Sequence, residues 1–161
     1  MTIEEYNKCV DEHADAVYRF IFKNIKDEDR AKDIVQDAFE KMWIKAESVE
    51  GDKAKSYLFT TAYRTMIDEI RKHKNAMNYQ NDQPSDPSNY QPSVDLSDIL
   101  QDALNQLPEQ QRSMVMLRDY EGYSYEEISE ILDVNVGQVK VYLYRARKFL
   151  QQYIGSIEKV I

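Results

Sequence analysis

The sequence predicts an all-α protein of two small helical domains joined by a flexible linker, and three observations lead to this fold class. The 161 residues include only 4 Gly and 4 Pro, so few residues interrupt a helix. Apolar residues recur at helical spacing on both sides of residues 75–93. That stretch holds three of the prolines and is rich in Asn, Gln, Ser and Asp, so it buries too little to order itself. We expect domains at 1–75 and 95–161, with the linker at 76–94.

Two helices are predicted in the first fifty residues, over about 6–24 and 30–47. In the second, apolar residues cover nearly half of the circumference, while Asp33, Gln36 and Glu40 share the other side. Trp43 lies at the border between the apolar and the polar side of this helix. An acidic strip beside a large aromatic residue suits the docking of a basic, partly apolar partner. A tryptophan at the edge of the core, with solvated carboxylates, explains the same residues more simply, and the residues alone favour that interpretation.

A third helix is predicted over about 53–73, after a polar loop. Residues 51–80 hold six basic and three acidic side chains, whereas the first fifty residues hold eight basic and thirteen acidic side chains. The net charge therefore changes sign between the two segments. Aromatic and hydroxyl side chains interleaved with cations suit single-stranded nucleic acid, because bases stack on rings and phosphates pair with charges. One polar stripe of this helix consists of Tyr57, Thr61, Arg64 and Arg71. Tyr57, Phe59 and Tyr63 cannot all point the same way, so at least one of them is expected in the core.

A helix-turn-helix is predicted between residues 121 and 150. Gly122 suits the end of a preceding helix, and Ser124 with Glu127 three residues later has the spacing of a capping box. Residues 133–137 then interrupt the apolar stripe, and Asn135 and Gln138 are spaced to cap a second helix. The connection is as short as a helix-turn-helix requires.

The second helix of this motif has one apolar and one basic face. At about 100° per residue, Val139, Leu143 and Phe149 fall on the apolar side with five further residues. Such a helix fits the major groove, where Arg and Lys read guanine or grip phosphate and an apolar group meets a thymine methyl. Without the turn before it, a solvated polar face would be an equal alternative. The opposite face contains Lys140, Val141, Tyr144, Arg145, Arg147, Lys148, Gln151 and Gln152.

Composition argues against several classes of protein. No apolar run approaches the length of a membrane span, and the acidic N-terminus is unlike a signal peptide, so we expect a cytoplasmic protein without membrane insertion. The single Cys9 forms no internal disulfide. With only His13 and His73, no metal-ligand or nucleophile spacing is present, so we expect neither an enzyme nor a cofactor.

The order of these parts resembles a known family, the bacterial sigma factors of the extracytoplasmic-function group, over nearly the whole chain. Residues 33–39 followed by Trp43 look like the family's helix that binds core RNA polymerase. Residues 56–71 resemble its helix for promoter melting and minus-ten recognition. A third resemblance is to the domain that reads the minus-thirty-five element, and it lies in residues 107–112, 120–128, 136–140 and 145–147.

The resemblance implies roles for the surfaces found above. The clamp helices of the polymerase's largest subunit would meet Asp33, Gln36, Phe39 and Trp43. The opened minus-ten strand, with a base flipped into a protein pocket, would lie against the loop at 48–53 with Lys53, Tyr57, Thr61, Arg64 and Arg71. The minus-thirty-five groove would be read by Lys140, Val141, Tyr144 and Arg145, while its phosphates would be held by Arg118, Arg147 and Lys148.

The implied partners are core RNA polymerase, through its clamp helices and flap, and promoter DNA, with an anti-sigma factor as a third partner. The family usually has Asn where Arg64 stands and commonly Trp where Tyr57 stands, so minus-ten recognition is expected to differ here. A net charge of −8 weakens non-specific attraction to DNA, so we expect the chain to act on polymerase rather than alone. The alternative is a helix-turn-helix regulator whose N-terminal helices bind a partner.

Overall fold

A computed structural model describes residues 1–80 and 96–160, and all regular structure in those two ranges is helical, as the sequence predicts. Short 3₁₀ turns at Ala46–Ser48 and Gly51–Lys53 lie between the second and third helices. The helices are α1 (Ile3–Ile25), α2 (Glu28–Ile44), α3 (Ala54–Gln80), α4 (Leu96–Gln106), α5 (Glu109–Val115), α6 (Tyr125–Leu132) and α7 (Val136–Val160).

Helices α1, α2 and α3 pack against one another around a common apolar core. Thr2 and Glu5 form a capping box, so α1 begins three residues before the predicted start. Asp27 caps α2 by accepting a hydrogen bond from the backbone N–H of Arg30. The expectation that at least one of Tyr57, Phe59 and Tyr63 lies in the core is confirmed, since Phe59 and Tyr63 are buried. Other core members are Val17, Phe20, Ile21, Ile34, Ala38, Met42, Leu58, Ala62 and Met66.

Helix α3 is longer than predicted. It continues to Gln80, so residues 76–80 of the predicted linker are helical. No helix-breaking residue stands between His73 and Pro84, and Ala76 and Gln80 are good helix formers, which explains the extension. The rest of the predicted flexible linker, residues 81–94, lies outside the described residues.

The four C-terminal helices form a second packed group. Met116–Tyr120 form a π-helical turn after α5, and Gly122 then takes a left-handed φ of 74°, which an L side chain rarely adopts. This reversal leads directly into α6, and α7 packs against α4, α5 and α6. The centre of the group consists of Leu104, Met114, Leu117, Ile128, Ile131, Val139, Leu143 and Ala146, all buried.

The two helical groups also pack on each other. Helix α6 lies against α3 and α5 lies against α1, and the buried apolar residues of both groups form one continuous core. The buried Tyr123 ring contacts the Phe59 ring edge-on, with their centroids 5.1 Å apart. Sequence patterns describe two separate compact pieces, because contacts between residues so far apart leave no periodic signal.

Candidate nucleic-acid and protein interfaces

The helix-turn-helix is fixed by two capping boxes. The Ser124 hydroxyl accepts from the backbone N–H of Glu127, and the Glu127 carboxylate accepts from the N–H of Ser124, both at 3.1 Å. Asn135 and Gln138 repeat this reciprocal pair at the start of α7, with distances of 2.7 and 3.0 Å. Each pair satisfies backbone donors that a helix start leaves free. The sequence-predicted caps of both helices are therefore confirmed.

The basic face of α7 points away from the core. The Tyr144 side chain is 67% exposed and Val141 is 46% exposed. Beside them runs a groove of about 500 Å³, whose lining includes Tyr144, Lys140 and Lys148. Lys140, Arg145 and Lys148 are exposed. Cations, an exposed aromatic ring and an exposed valine therefore share one helix surface that no other part of the described chain covers.

Phe149 differs from the prediction that placed it on the apolar face. It is 36% exposed, and its ring packs on Tyr153 with centroids 6.0 Å apart. Phe149 lies at the edge of the apolar arc, where the buried Ala146 and Leu150 already occupy the central positions. Helical periodicity gives the direction of a side chain but not the width of the surface that covers it.

Two of the predicted phosphate contacts also have partners within the chain. Arg147 forms an ion pair with Asp119 at 2.8 Å, and this hydrogen bond raises the pKa of Arg147. Arg118 donates to the backbone carbonyl of Tyr123 at 2.8 Å, and its guanidinium lies 4.8 Å from the centre of the Tyr125 ring. Both arginines thus help to hold the segment before α6. The sequence does not reveal this, because these pairings depend on the fold.

A second candidate interface is a cleft of about 320 Å³ between the end of α2 and the first half of α3. Three of the sequence-predicted residues line it: Tyr57, Thr61 and Arg64. The cleft walls combine an aromatic ring, hydroxyl groups and cations, which is the set of groups that an extended single strand requires. Arg71 is exposed two turns further along α3, outside the cleft lining, and Lys53 is exposed in the preceding 3₁₀ turn.

Sequence reasoning missed the α2 side of this cleft. Lys41 donates from its Nζ to the Thr65 hydroxyl at 2.9 Å, and Lys45 and Ile44 line the same wall. Lys41 and Lys45 are four residues apart, so they share a face at the end of α2. That spacing is visible in the sequence, but only the packing of α2 on α3 shows that this face of α2 lies toward Arg64.

The third candidate interface is the exposed side of α2. Asp33 and Gln36 are exposed, Phe39 is half-buried, and Trp43 is 49% exposed. Beyond them Ile44 is 76% exposed. The acidic strip beside an accessible tryptophan is therefore present, although the Trp43 ring also contacts Tyr6 of α1 edge-on at 5.0 Å. Tyr6 was not among the predicted site residues.

The contact between the two helical groups is polar at its α5 end. Arg112 donates from Nε to the Asn24 side-chain oxygen at 2.8 Å, and Tyr63 donates to the Glu109 carboxylate at 3.4 Å. Burial is the main cause that raises the pKa values of Glu109 and Tyr63 and lowers that of Arg112. Ser113 donates to the other Glu109 oxygen at 3.1 Å.

The same contact continues along α1 with charged side chains. Arg19 lies 3.5 Å from the Glu121 carboxylate, and the Lys23 ammonium lies 3.8 Å from the centre of the Tyr120 ring. Lys55 of α3 lies over the Tyr123 ring at 4.5 Å. We call these groups, with those around Arg112, the interdomain clasp.

Within residues 1–80 and 96–160, no His, Cys, Asp and Glu side chains cluster in a way that could hold a metal ion. None of the helices in those ranges is both long and apolar enough to cross a membrane.

Comparison with known proteins matches both helical groups to family models. Residues 9–76 match sigma-70 region 2, and residues 97–150 match sigma-70 region 4. The first range contains the α2 surface and the α2–α3 cleft, and the second contains the helix-turn-helix. The order and position of both matches agree with the resemblance carried by the motifs.

Full-length relatives agree with the family models. The RNA polymerase sigma factor SigV of Bacillus subtilis is 32% identical, over 89% of this chain and 87% of its own. The ECF sigma factor SigM of the same organism is 28% identical over 94% of each chain. The sigma factor RpoE of Bartonella quintana, solved in complex with the anti-sigma factor NepR, shares the fold with a TM-score of 0.79 at 28% identity, covering 95% of this chain and 98% of its own. The chain belongs to the extracytoplasmic-function group of RNA polymerase sigma factors.

Proposed function

We propose that this sigma factor reads the minus-thirty-five element with α7, holds the opened minus-ten strand in the α2–α3 cleft and docks on core polymerase through α2. The observation that carries this assignment is the exposed basic face of α7 behind two capped helix starts, on a chain that is otherwise acidic. The chain acts by binding: RNA synthesis is the work of the polymerase, and the place of action is the cytoplasm.

At the minus-thirty-five element, Lys140, Val141, Tyr144 and Arg145 face the base edges. Arg and Lys supply donors for guanine, and Val141 supplies an apolar contact for a thymine methyl. Lys148, Arg147 and Arg118 face the phosphates. Because Arg147 and Arg118 also hold the segment before α6, their contribution to DNA binding includes the positioning of α7.

At the minus-ten element, the α2–α3 cleft receives the opened strand. Tyr57 offers a ring for base stacking, and Arg64 offers a cation where the family usually has Asn. Lys41 and Lys45 add two cations on the opposite wall. Lys53 and Arg71 extend the basic surface on either side of the cleft.

On core polymerase, the exposed carboxylate and amide of Asp33 and Gln36 meet the clamp helices of the largest subunit, with Phe39 and Trp43 as apolar anchors. Aromatic anchors with a polar rim are the usual arrangement of a protein interface. The flap of the polymerase is proposed as the contact of the C-terminal helices.

Promoter binding requires the interdomain clasp to open. The basic face of α7 and the α2–α3 cleft would contact two separate elements of one promoter, whereas the packed chain holds the two helical groups against each other. Opening of the clasp would let each group reach its own element. The free chain therefore binds promoter DNA poorly and becomes competent on polymerase.

An anti-sigma factor is proposed as a regulatory partner. The support is the fold shared with RpoE, which was solved in complex with the anti-sigma factor NepR. A protein that bridges α1–α3 and α4–α7 would stabilise the packed arrangement, because it would bind the closed form better than the open one.

In vitro transcription with core enzyme over a genomic promoter library tests the proposal. We expect start sites that share a minus-ten and a minus-thirty-five element and that depend on this chain. Lys140→Ala with Arg145→Ala should lower promoter-specific transcription at least tenfold with little change in melting temperature, since both side chains are exposed. Transcription that survives this double change would overturn the assignment of α7.

A binding measurement with core polymerase tests the docking surface separately. Asp33→Lys with Trp43→Ala should weaken polymerase affinity at least tenfold, because a charge is reversed and an aromatic anchor is lost. The matched control is Asp15→Lys with Phe22→Ala, which reverses one charge and removes one exposed aromatic ring on α1, at positions outside the α2 surface. A chain that bound only DNA and never polymerase would instead be a helix-turn-helix regulator.

A further inference from the structure

We infer that Tyr6 of α1 is a positioning residue of the polymerase-docking surface, which holds the Trp43 indole in the orientation that meets the polymerase. This inference rests on the proposed docking role of α2. It adds a residue from a different helix, 37 positions away in the chain, to a surface that the sequence assigns to α2 alone.

The geometry that carries the inference joins Tyr6 to α2 at two points. Its hydroxyl donates to the backbone carbonyl of Phe39 at 3.0 Å. In an α-helix that carbonyl also accepts the backbone N–H of Trp43, four residues later. The Tyr6 ring meets the Trp43 ring edge-on, with centroids 5.0 Å apart and planes at 65°. Tyr6 is therefore anchored one turn below the side chain that it contacts.

Trp43 needs such a support because half of its surface is exposed. An exposed side chain on a helix samples several rotamers, and fixing one of them on binding costs conformational entropy. An edge-to-face contact with an aromatic ring favours one orientation before the partner arrives. Tyr6 is itself only half-buried, so its ring remains beside Trp43 at the surface rather than in the core.

The chain contains one tryptophan, so a single label reports on this contact. We would incorporate 5-fluorotryptophan and record the ¹⁹F resonance of the free protein. Tyr6→Leu should shift and narrow the resonance, because the indole loses its neighbouring ring. Tyr6→Phe keeps the ring and should shift it less. The control is Tyr18→Leu, which removes a half-buried tyrosine of the same helix that stacks on Phe22, and it should leave the resonance unchanged.

Affinity for core polymerase then separates positioning from a general loss of structure. Tyr6→Leu should weaken binding about two- to tenfold in the wild-type background. In the Trp43→Ala background the same change should have no further effect, because the ring that it positions is gone. Equal weakening in both backgrounds, or an unchanged ¹⁹F resonance, would overturn the inference.

The two proposals fail in distinguishable ways. If Trp43→Ala leaves polymerase affinity unchanged, the docking role of Trp43 is wrong, and the inference falls with it. If Trp43→Ala weakens binding but Tyr6→Leu does not, the docking surface stands and only the role of Tyr6 is wrong. Far-UV circular dichroism and urea unfolding of each variant show whether the fold is retained.

Discussion

Glu5 and Gly51 form a close contact between the start of α1 and the loop that precedes α3. The Glu5 carboxylate accepts the backbone N–H of Thr2 at 3.1 Å, and this bond lowers the pKa of Glu5. A Cβ on Gly51 would overlap the Oε2 atom of Glu5. Gly51 therefore permits the carboxylate to complete the capping box while the loop passes beside it.

Gly51→Ala should lower the melting temperature by about 2–4 °C, since the displaced carboxylate no longer completes the cap. Thermal unfolding followed by circular dichroism measures the change. In the Glu5→Ala background the same substitution should cost much less, because nothing then occupies the space of the new methyl group. Equal losses in the two backgrounds would contradict this explanation.

Sequence reasoning works at this scale for partners close in the chain and fails for distant ones. The capping pairs Ser124–Glu127 and Asn135–Gln138 were predicted from their spacing, which alone determines whether the groups meet. The pairing of Arg147 with Asp119 spans 28 residues, and it depends on how the π-helical turn is placed beside α7. The same limit hid Tyr6 and Lys41, whose partners lie on other helices.

Helix α5 carries a half-buried carboxylate, that of Glu109, which makes the packing of the two helical groups sensitive to pH. Burial raises the pKa of Glu109, although hydrogen bonds from Ser113 and Tyr63 act in the opposite direction. The folded chain thus holds the proton more tightly than the unfolded chain. The contribution of protonated Glu109 to the free energy of unfolding is therefore present at low pH, and it is lost as the pH rises through the folded-state pKa.

Glu109→Gln should remove this pH dependence. Compared with the wild type, the variant should gain relative stability as the pH is raised from about 4.5 toward 7, because only the wild type must ionise a half-buried carboxyl group. Urea midpoints at several pH values in this range measure the difference. A difference that stays constant with pH would show that Glu109 ionises equally well in both states.

At the scale of elements, helix starts are easier to predict than helix ends. The starts of α6 and α7 carry side-chain caps that can be recognised from residue type and spacing in the sequence. The end of α3 carries no such signal, and its polar residues after His73 were assigned to the linker on composition alone. Composition shows that a segment has little to bury, but helix formation continues until a breaker or a competing contact stops it.

At the scale of the whole molecule, the interdomain clasp should open when its cations on α1 are reversed. Arg19→Glu places a carboxylate beside that of Glu121, so an ion pair becomes a repulsion. Lys23→Glu removes the cation from the Tyr120 ring. A compact chain of 161 residues has a radius of gyration of about 15 Å. We expect the variant to exceed the wild-type value by several ångströms in small-angle X-ray scattering.

The control has the same change of charge at sites away from the clasp. Lys8→Glu with Lys32→Glu alters two lysines of α1 and α2 whose ion-pair partners, Glu12 and Glu28, lie one turn away on the same helix. Its radius of gyration should match the wild type. If both variants expand equally, net charge rather than the clasp sets the dimensions of the chain.

Helix α3 extends to Gln80 and α4 begins at Leu96, so only fifteen residues join the two helical groups. A connection this short keeps the C-terminal helices at an effective concentration in the millimolar range around the N-terminal ones. Groups that would hardly associate as separate molecules can therefore stay packed within one chain. The polar clasp and the shared apolar core therefore act within one chain, and under the proposed function polymerase must supply the free energy that separates them.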